Sequence, residues 1–214
     1  RLRRYWLHGA GAAKIRWGTP GDWVRCHRHL SKYLGPRSKG YCFSGDTEFL
    51  TQKGVKTFAD TVGTTQKVLT ASQPAQNALE QPSDARGVWK EAEIQSFGEQ
   101  PLLTITLVRG GGSSTKVIRA TPEHLWFAAD FRTTGEVTTV STADLLPGMH
   151  LSSLRHKSDS TPVRGRWVVR SVEDHGDVEE VFCAVVPDTE AFALTDNIFT
   201  HNCQNLHKAA TGVY

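Results

Sequence analysis

Short runs rich in apolar, β-branched and aromatic residues follow one another along the middle of the chain. They span residues 101–110, 115–121, 124–130, 165–173, 179–186 and 190–200. Gly, Pro, Asp and Asn stand between the runs, and these residues favour turns. Within the last run, Asp196 and Asn197 tolerate a positive φ and therefore predict the turn of a hairpin. The pattern as a whole predicts a mostly-β domain.

Two segments depart from this strand pattern. Residues 141–148, STADLLPG, predict a short helix that is capped by Ser141 or Thr142 and stopped by the Pro-Gly pair. Residues 71–88 are polar and show no periodicity, so we expect them to form a loop. The middle of the chain is thus predicted to be a compact β domain with little helix.

Composition excludes several classes of protein. A chain of 214 residues, 38% of them apolar, can bury a core and is long enough for one or two domains. No apolar run reaches the roughly 18–20 residues of a membrane span, and the basic N-terminus lacks the apolar segment of a secretion signal. Four irregularly spaced cysteines do not resemble a disulfide scaffold, which predicts a reducing, cytoplasmic location.

Charge divides the chain into three parts. Residues 1–41 hold ten Lys and Arg and one acidic residue, residues 203–214 hold one basic residue and no acid, and residues 42–202 hold 14 basic and 21 acidic residues. The two basic ends match each other and predict one protein that the middle domain interrupts. The first part is predicted to be partly helical. Its charge and three Trp would allow nucleic-acid contact, but such a run is more often a solvated face.

His201, Asn202 and Cys203 stand side by side at the end of the middle domain. An Asn side-chain amide can attack its own backbone carbonyl, which closes a succinimide ring and cuts the chain. The reaction needs a proton donor for the departing nitrogen, and His201 could supply it. The Cys203 thiol could accept an acyl group. The alternative is a hairpin-terminal His-Asn pair that satisfies backbone groups beside a buried Cys.

Cys42 follows Tyr41 at the start of the middle domain. Its thiol could attack the Tyr41 carbonyl and convert the amide into a thioester, but amides resist attack and a thiol is mostly protonated at neutral pH. Thr121 and His124 could help, with His124 protonating the leaving nitrogen and Thr121 holding the oxyanion or straining the bond. The alternative is a Thr-capped turn that carries a surface His.

In combination, these motifs resemble the intein family of protein-splicing domains, which have the Hedgehog/intein fold. The resemblance rests on CFSGDTEFLT (42–51), IRATPEHLWFA (118–128), VEEVFCAVVPDTEAFAL (178–194) and TDNIFTHNC (195–203). It implies a horseshoe-shaped β domain over residues 42–202 that brings its two ends together. Residues 1–41 and 203–214 would then be the N- and C-extein segments. The space between the motifs is too short for a homing endonuclease, as in a mini-intein.

The resemblance also implies a reaction. Cys42 makes a thioester with Tyr41, Cys203 takes over the acyl group, Asn202 cyclises with help from His201, and Tyr41 is ligated to Cys203. Such a domain acts once, as a monomer, on its own flanks, with no cofactor, metal or partner. The flanks resemble a phage protein of an actinobacterial host.

Two positions depart from the usual family pattern. Glu190 stands where many inteins carry an assisting His. Cys183 stands where an Asp is usual, and with Trp126 and Thr200 it forms the Trp-Cys-Thr signature of class 3 inteins. In those proteins the internal Cys attacks the upstream junction directly. Because Cys42 is adjacent to the junction, we expect it to initiate, with initiation by Cys183 as the alternative.

Two other classes of function remain open at this point. A cysteine hydrolase would use Cys183 or Cys42 with His124 and would turn over added substrates. A zinc-binding module would use Cys26, His29, His201 and Cys203, although the Cys26-His29 cluster alone cannot close a tetrahedral site.

Overall fold

The computed structural model describes residues 41–72, 85–109, 114–132, 135–158, 166–187 and 189–202. The chain divides into two units, Arg1–Lys39 and Gly40–Tyr214, and all of the described residues lie in the second. The predictions for residues 1–40 and 203–214 therefore lie outside the described residues. No helix in the described part of the chain is long and apolar enough to cross a membrane.

Strands dominate the described residues, which confirms the predicted mostly-β class. Three 3-10 helices span Ala59–Thr61, Thr142–Asp144 and Thr195–Asn197. The strands are β1 (Phe43–Ser44), β2 (Glu48–Thr51), β3 (Gly54–Thr57), β4 (Thr65–Ala71), β5 (Ala85–Pro101), β6 (Leu103–Arg109), β7 (Thr115–Ala120), β8 (Leu125–Ala129), β9 (Val137–Ser141), β10 (His150–Leu151), β11 (Leu154–His156), β12 (Trp167–Glu173), β13 (Val178–Val185), β14 (Ala191–Ala193) and β15 (Phe199–His201).

The strands form one sheet, and its order places the two ends of the predicted domain. Along the sheet the order is β14-β15-β8-β10-β12-β6-β7-β1-β13-β5-β4-β2-β3, with β9 paired to β8 and β11 to β5. The pairs are antiparallel except β5 with β11, which is parallel. The first strand, β1, lies between β7 and β13, so the start of the domain is held inside the sheet. The last strand, β15, pairs with β8 and β14.

The predicted loop at 71–88 was wrong at both of its ends. Ala71 is the last residue of β4, and β5 begins at Ala85. Strand β5 contains no apolar run, because charged residues such as Glu91 and Glu93 alternate with buried Ala92 and Ile94. Alternation of this kind marks a strand that is buried on one face.

Two local predictions are confirmed. Asp196 and Asn197 have φ values of 59° and 62° in the connection between β14 and β15, so the hairpin turns where the sequence indicates. Ser141 caps the 3-10 helix Thr142–Asp144, because its side chain accepts a hydrogen bond from the Asp144 backbone N–H. The helix is one turn long.

Aromatic side chains fill the core next to the start of the domain. Phe43 stacks on Phe58 with ring centroids 5.7 Å apart, and it meets the edges of Trp126 and Phe192 at 5.7 and 6.2 Å. All four side chains are fully buried. Burial of this much aromatic surface fixes the position of β1, and therefore of the residue before it, Cys42.

Candidate functional site

Thr121 contacts both backbone polar groups of Cys42. The Thr121 N–H donates to the Cys42 carbonyl at 3.0 Å, and the Cys42 N–H donates to the Thr121 hydroxyl oxygen at 3.2 Å. The Cys42 nitrogen belongs to the peptide bond that joins it to Tyr41. Thr121 is fully buried and follows β7, the neighbour of β1, so the sheet itself holds this peptide bond in register.

His124 is fully buried beside the same peptide bond. Its ring centroid lies 4.2 Å from that of Phe43, 4.9 Å from that of Trp126 and 6.4 Å from that of Tyr41. Burial lowers the pKa of His124 to about 3, against an opposing effect of the Tyr41 backbone, which raises it. A backbone group that raises an imidazole pKa is a carbonyl accepting from the ring. His124 is therefore neutral at pH 7 and lies next to the Tyr41 carbonyl.

The two nitrogens of His124 have different surroundings. Nε2 lies 2.5 Å from the hydroxyl oxygen of Thr200, which is itself 3.1 Å from the Leu125 carbonyl. Nδ1 is buried and has no hydrogen-bond partner within bonding distance among the described residues. Because Nε2 is taken by Thr200, we assign Nδ1 as the nitrogen that faces Tyr41. The Thr200 hydroxyl has one hydrogen and donates it to the Leu125 carbonyl, so its oxygen accepts from Nε2–H and Nδ1 of the neutral ring carries a lone pair.

Trp126 and Thr200 lie together, and both contact His124. They are register partners between β8 and β15, and both are fully buried. The Trp126 ring nitrogen donates to the Thr142 hydroxyl at 2.9 Å, which fixes the indole against the imidazole. The sequence did not indicate Thr142, because nothing local marks it as a partner of Trp126.

Cys183 lies on the strand next to Cys42. The pairing of Phe43 with Phe182 and of Ser44 with Val181 runs toward Cys42 and Cys183 as the next pair. Neither side chain has any exposed surface. Two buried cysteines therefore lie at the start of the domain, one bonded to Tyr41 and one on the neighbouring strand.

Asn202 is held by backbone groups at the other end of the domain. Its N–H donates to the Glu190 carbonyl at 2.9 Å, and its side-chain nitrogen donates to the Val186 carbonyl at 3.0 Å. The side chain is buried, and its Oδ1 has no hydrogen-bond partner among the described residues. The sequence could not indicate Val186 as a partner, because every residue has a carbonyl. Cys203 lies outside the described residues.

His201 stacks on Phe127, with ring centroids 4.1 Å apart. Its Nε2 lies 3.4 Å from the Thr139 hydroxyl. Burial lowers the pKa of His201 to about 4, and the carboxylate of Glu190 acts against this and raises it. His201 also lowers the pKa of His124, so the two imidazoles are within electrostatic reach of each other.

Solved structures share this arrangement of strands. A variant of the Ssp DnaB mini-intein aligns with a TM-score of 0.57 at 18% identity, over 79% of this chain and 99% of that chain. A DnaB intein from Synechocystis sp. PCC 6803 aligns with a TM-score of 0.54 at 18% identity, over 75% and 97%. The DnaX mini intein from Spirulina platensis aligns with a TM-score of 0.53 at 18% identity, over 75% and 99%.

The chain has the mini-intein fold. No protein-family model matches the sequence, and no curated protein matches it either. The likeness is therefore one of structure, at identities too low for sequence comparison to detect. It confirms the predicted Hedgehog/intein fold.

In this mini-intein fold the predicted upstream residues gather at one place. Thr121, His124, Trp126 and Thr200 form a connected set around the Tyr41–Cys42 peptide. Thr121 contacts the Cys42 nitrogen of this peptide, and His124 lies by the Tyr41 carbonyl. A surface position for His124, the alternative considered above, is wrong.

Proposed function

We propose that residues 42–202 are a cis-acting mini-intein that cuts itself out of the chain and joins residues 1–41 to 203–214. One observation carries the proposal. The scissile Tyr41–Cys42 peptide and strand β15, which leads into Asn202, share one buried histidine, because His124 faces Tyr41 and is bonded to Thr200. A reaction that joins the two flanks of a domain needs the two ends of that domain to lie close together.

The first step is an acyl shift at Tyr41. The Cys42 sulfur forms a bond to the Tyr41 carbonyl carbon, the bond from that carbon to the Cys42 nitrogen breaks, and the proton lost by the thiol ends on that nitrogen. Nδ1 of neutral His124 accepts the thiol proton and donates it to the departing nitrogen as the carbon–nitrogen bond breaks. Thr121 holds that nitrogen in place. A histidine whose pKa lies near 3 is neutral at rest and gives up the proton readily once it has taken it, which suits this transfer.

The later steps take place at the downstream junction. The Cys203 thiol displaces Cys42 from the thioester, which moves residues 1–41 onto Cys203. The Asn202 side-chain nitrogen then attacks its own carbonyl carbon, closes a succinimide and releases the Cys203 nitrogen. That free amine finally attacks the thioester, so a normal peptide bond joins Tyr41 to Cys203 and the thiol returns.

Cys42 initiates in this scheme, because its attack closes a five-membered ring and its effective concentration at the carbonyl is high. Cys183 is placed in register with Cys42 and serves as an assisting group or a second route. The burial of both thiols favours chemistry on the chain's own backbone over hydrolysis of added substrates. Three of the four residues of the zinc alternative, Cys26, His29 and Cys203, lie outside the described residues.

The proposed reaction is single-turnover and intramolecular. Each domain is consumed when its flanks are joined, and no cofactor or partner enters any step. The thiols must be reduced, which fits a reducing compartment such as the cytoplasm. Because the reaction is intramolecular, its rate should be independent of protein concentration.

Intact-mass spectrometry of the full chain in reductant tests the proposal. Splicing yields two products, the excised domain 42–202 and the flanks 1–41 and 203–214 joined to each other. The rate constant for their appearance should be the same at two different protein concentrations. A folded, reduced chain that keeps its full mass for days at neutral pH would refute it. A rate that rises with concentration would refute the intramolecular scheme.

A further inference from the structure

Glu190 occupies a place next to the downstream junction that the scheme above does not use. The pairing of Ala191 with His201 between β14 and β15 puts Glu190 beside Asn202, and the Asn202 N–H donates to the Glu190 carbonyl at 2.9 Å. Glu190 is exposed, with a φ of 51° that side-chain-bearing residues seldom adopt. Strained residues of this kind cluster at functional sites.

Among the described residues, the carboxylate of Glu190 acts on His201. The ring stacks on Phe127 of β8 and approaches Thr139 of β9, and neither side chain carries a charge. His124, the other titratable group within electrostatic reach, is neutral above about pH 3. Glu190 is therefore the group that opposes the effect of burial on His201.

We propose that Glu190 is a positioning residue for His201, and that its carboxylate stabilises the positive imidazole that forms while Asn202 cyclises. This inference rests on the proposed splicing reaction. In cyclisation the Asn202 side-chain nitrogen loses a proton and the Cys203 nitrogen gains one, so a group that carries the proton between them is needed and no proton is consumed. His201 carries the proton, and the charge it bears in transit is the charge that Glu190 compensates.

The unusual φ allows the carboxylate and the backbone of Glu190 to be tested separately. Glu190→Gln removes the charge and keeps the side-chain length. Glu190→Gly also removes the charge, but it relieves the backbone, because glycine adopts a positive φ without cost. Glu190→Asp keeps the charge. Glu48→Gln, at an exposed position on β2, controls for the loss of one surface carboxylate.

Two measurements on the full chain test the inference. In a Cys42→Ala background, where only downstream cleavage remains, we expect Glu190→Gln and Glu190→Gly to slow cleavage by several-fold, up to about tenfold. Glu190→Asp should retain most of the rate, and Glu48→Gln all of it. In the non-cleaving Asn202→Ala protein, an NMR titration should show His201 protonating at a lower pH after Glu190→Gln and Glu190→Gly.

The outcomes separate this inference from the proposed function. An unchanged titration of His201 in both charge-removing variants would overturn the role of Glu190. A normal rate for Glu190→Gly beside a slow Glu190→Gln would also overturn it, because cleavage would then proceed without the carboxylate. If the parent chain never cleaves, the splicing proposal fails, while the titration still decides whether Glu190 sets the charge of His201.

Discussion

Replacing Thr200 by Val tests the buried connection between the two ends of the domain. Thr200 has no exposed surface, and Val matches its shape but lacks the hydroxyl. The change removes the partner of His124 Nε2 at 2.5 Å and that of the Leu125 carbonyl at 3.1 Å. Neither group can reach water to compensate.

The size of the effect follows from those two contacts. A buried polar group that loses its partner costs about 1–3 kcal/mol, so we expect Thr200→Val to lower the free energy of unfolding by about 2–4 kcal/mol. The same hydroxyl selects the tautomer of His124. A hydrogen bond of about 1–2 kcal/mol maintains a preference of roughly fivefold to thirtyfold, and thioester formation at Tyr41 should slow by a similar factor.

The assay measures the upstream step alone. In an Asn202→Ala background, hydroxylamine releases residues 1–41 only from the thioester, and mass spectrometry follows the rate of release. Nitrogen NMR of His124 reports the tautomer in the same protein. Thr200→Ser, which keeps the hydroxyl, should remain within about twofold of the parent rate.

Thr200→Val could react slowly only because part of the protein is unfolded, and a matched control variant excludes this explanation. Thr61 is buried in the 3-10 helix Ala59–Thr61, and its hydroxyl donates to the Thr57 carbonyl at 2.7 Å. Thr61→Val should lose stability while keeping the upstream rate. If Thr200→Val forms the thioester as fast as Thr61→Val, with the His124 tautomer unchanged, the reasoning about Thr200 fails.

Three further predictions address the thiols, the downstream cut and acid stability. Cys42→Ala should abolish the trappable thioester and leave only downstream cleavage, whereas Cys183→Ala should only slow the first step; mass spectrometry that shows the reverse would assign initiation to Cys183. Asn202→Ala should block the downstream cut and spare the thioester, and continued cleavage there would exclude cyclisation. The pKa of His124 falls from 6.5 to about 3 on folding, so the unfolded chain binds the proton first. The free energy of unfolding should therefore be highest above about pH 6.5 and decline by a few kcal/mol as the pH falls toward 3. The decline should be smaller in His124→Gln, and urea titrations at several pH values would measure it.

Apolar periodicity predicted part of the sheet and failed where charges intervene. Strands β12 and β13 were visible because β-branched and aromatic residues stand in unbroken runs. Strand β5 was not, because its 17 residues include charged ones at exposed positions along most of its length. The pattern Glu91, Ala92, Glu93, Ile94 does alternate, but an alternation of four residues is too short to distinguish from a loop by composition alone.

The residue types of the candidate site could be named from the sequence, but their surroundings could not. His124 is preceded by Pro122 and Glu123, and this polar setting favoured a surface position. Its burial comes from contacts that are distant in sequence, above all from Phe43, 81 positions earlier, and from Thr200, 76 positions later. The neutral state of His124, and with it the proposed role as carrier of the thiol proton, depends on that burial.

The position of Thr200 also bears on the order of the two cuts. Thr200 bonds to the histidine of the upstream junction, and Asn202 follows it by two residues on the same chain segment. The side-chain nitrogen of Asn202 is meanwhile bonded to the Val186 carbonyl, so it must leave that partner before it can attack. If a shift of β15 frees Asn202, the same shift strains the bond between Thr200 and His124. An arrangement of this kind favours completion of the upstream step, which needs the intact bond, before the downstream cut, which needs Asn202 released.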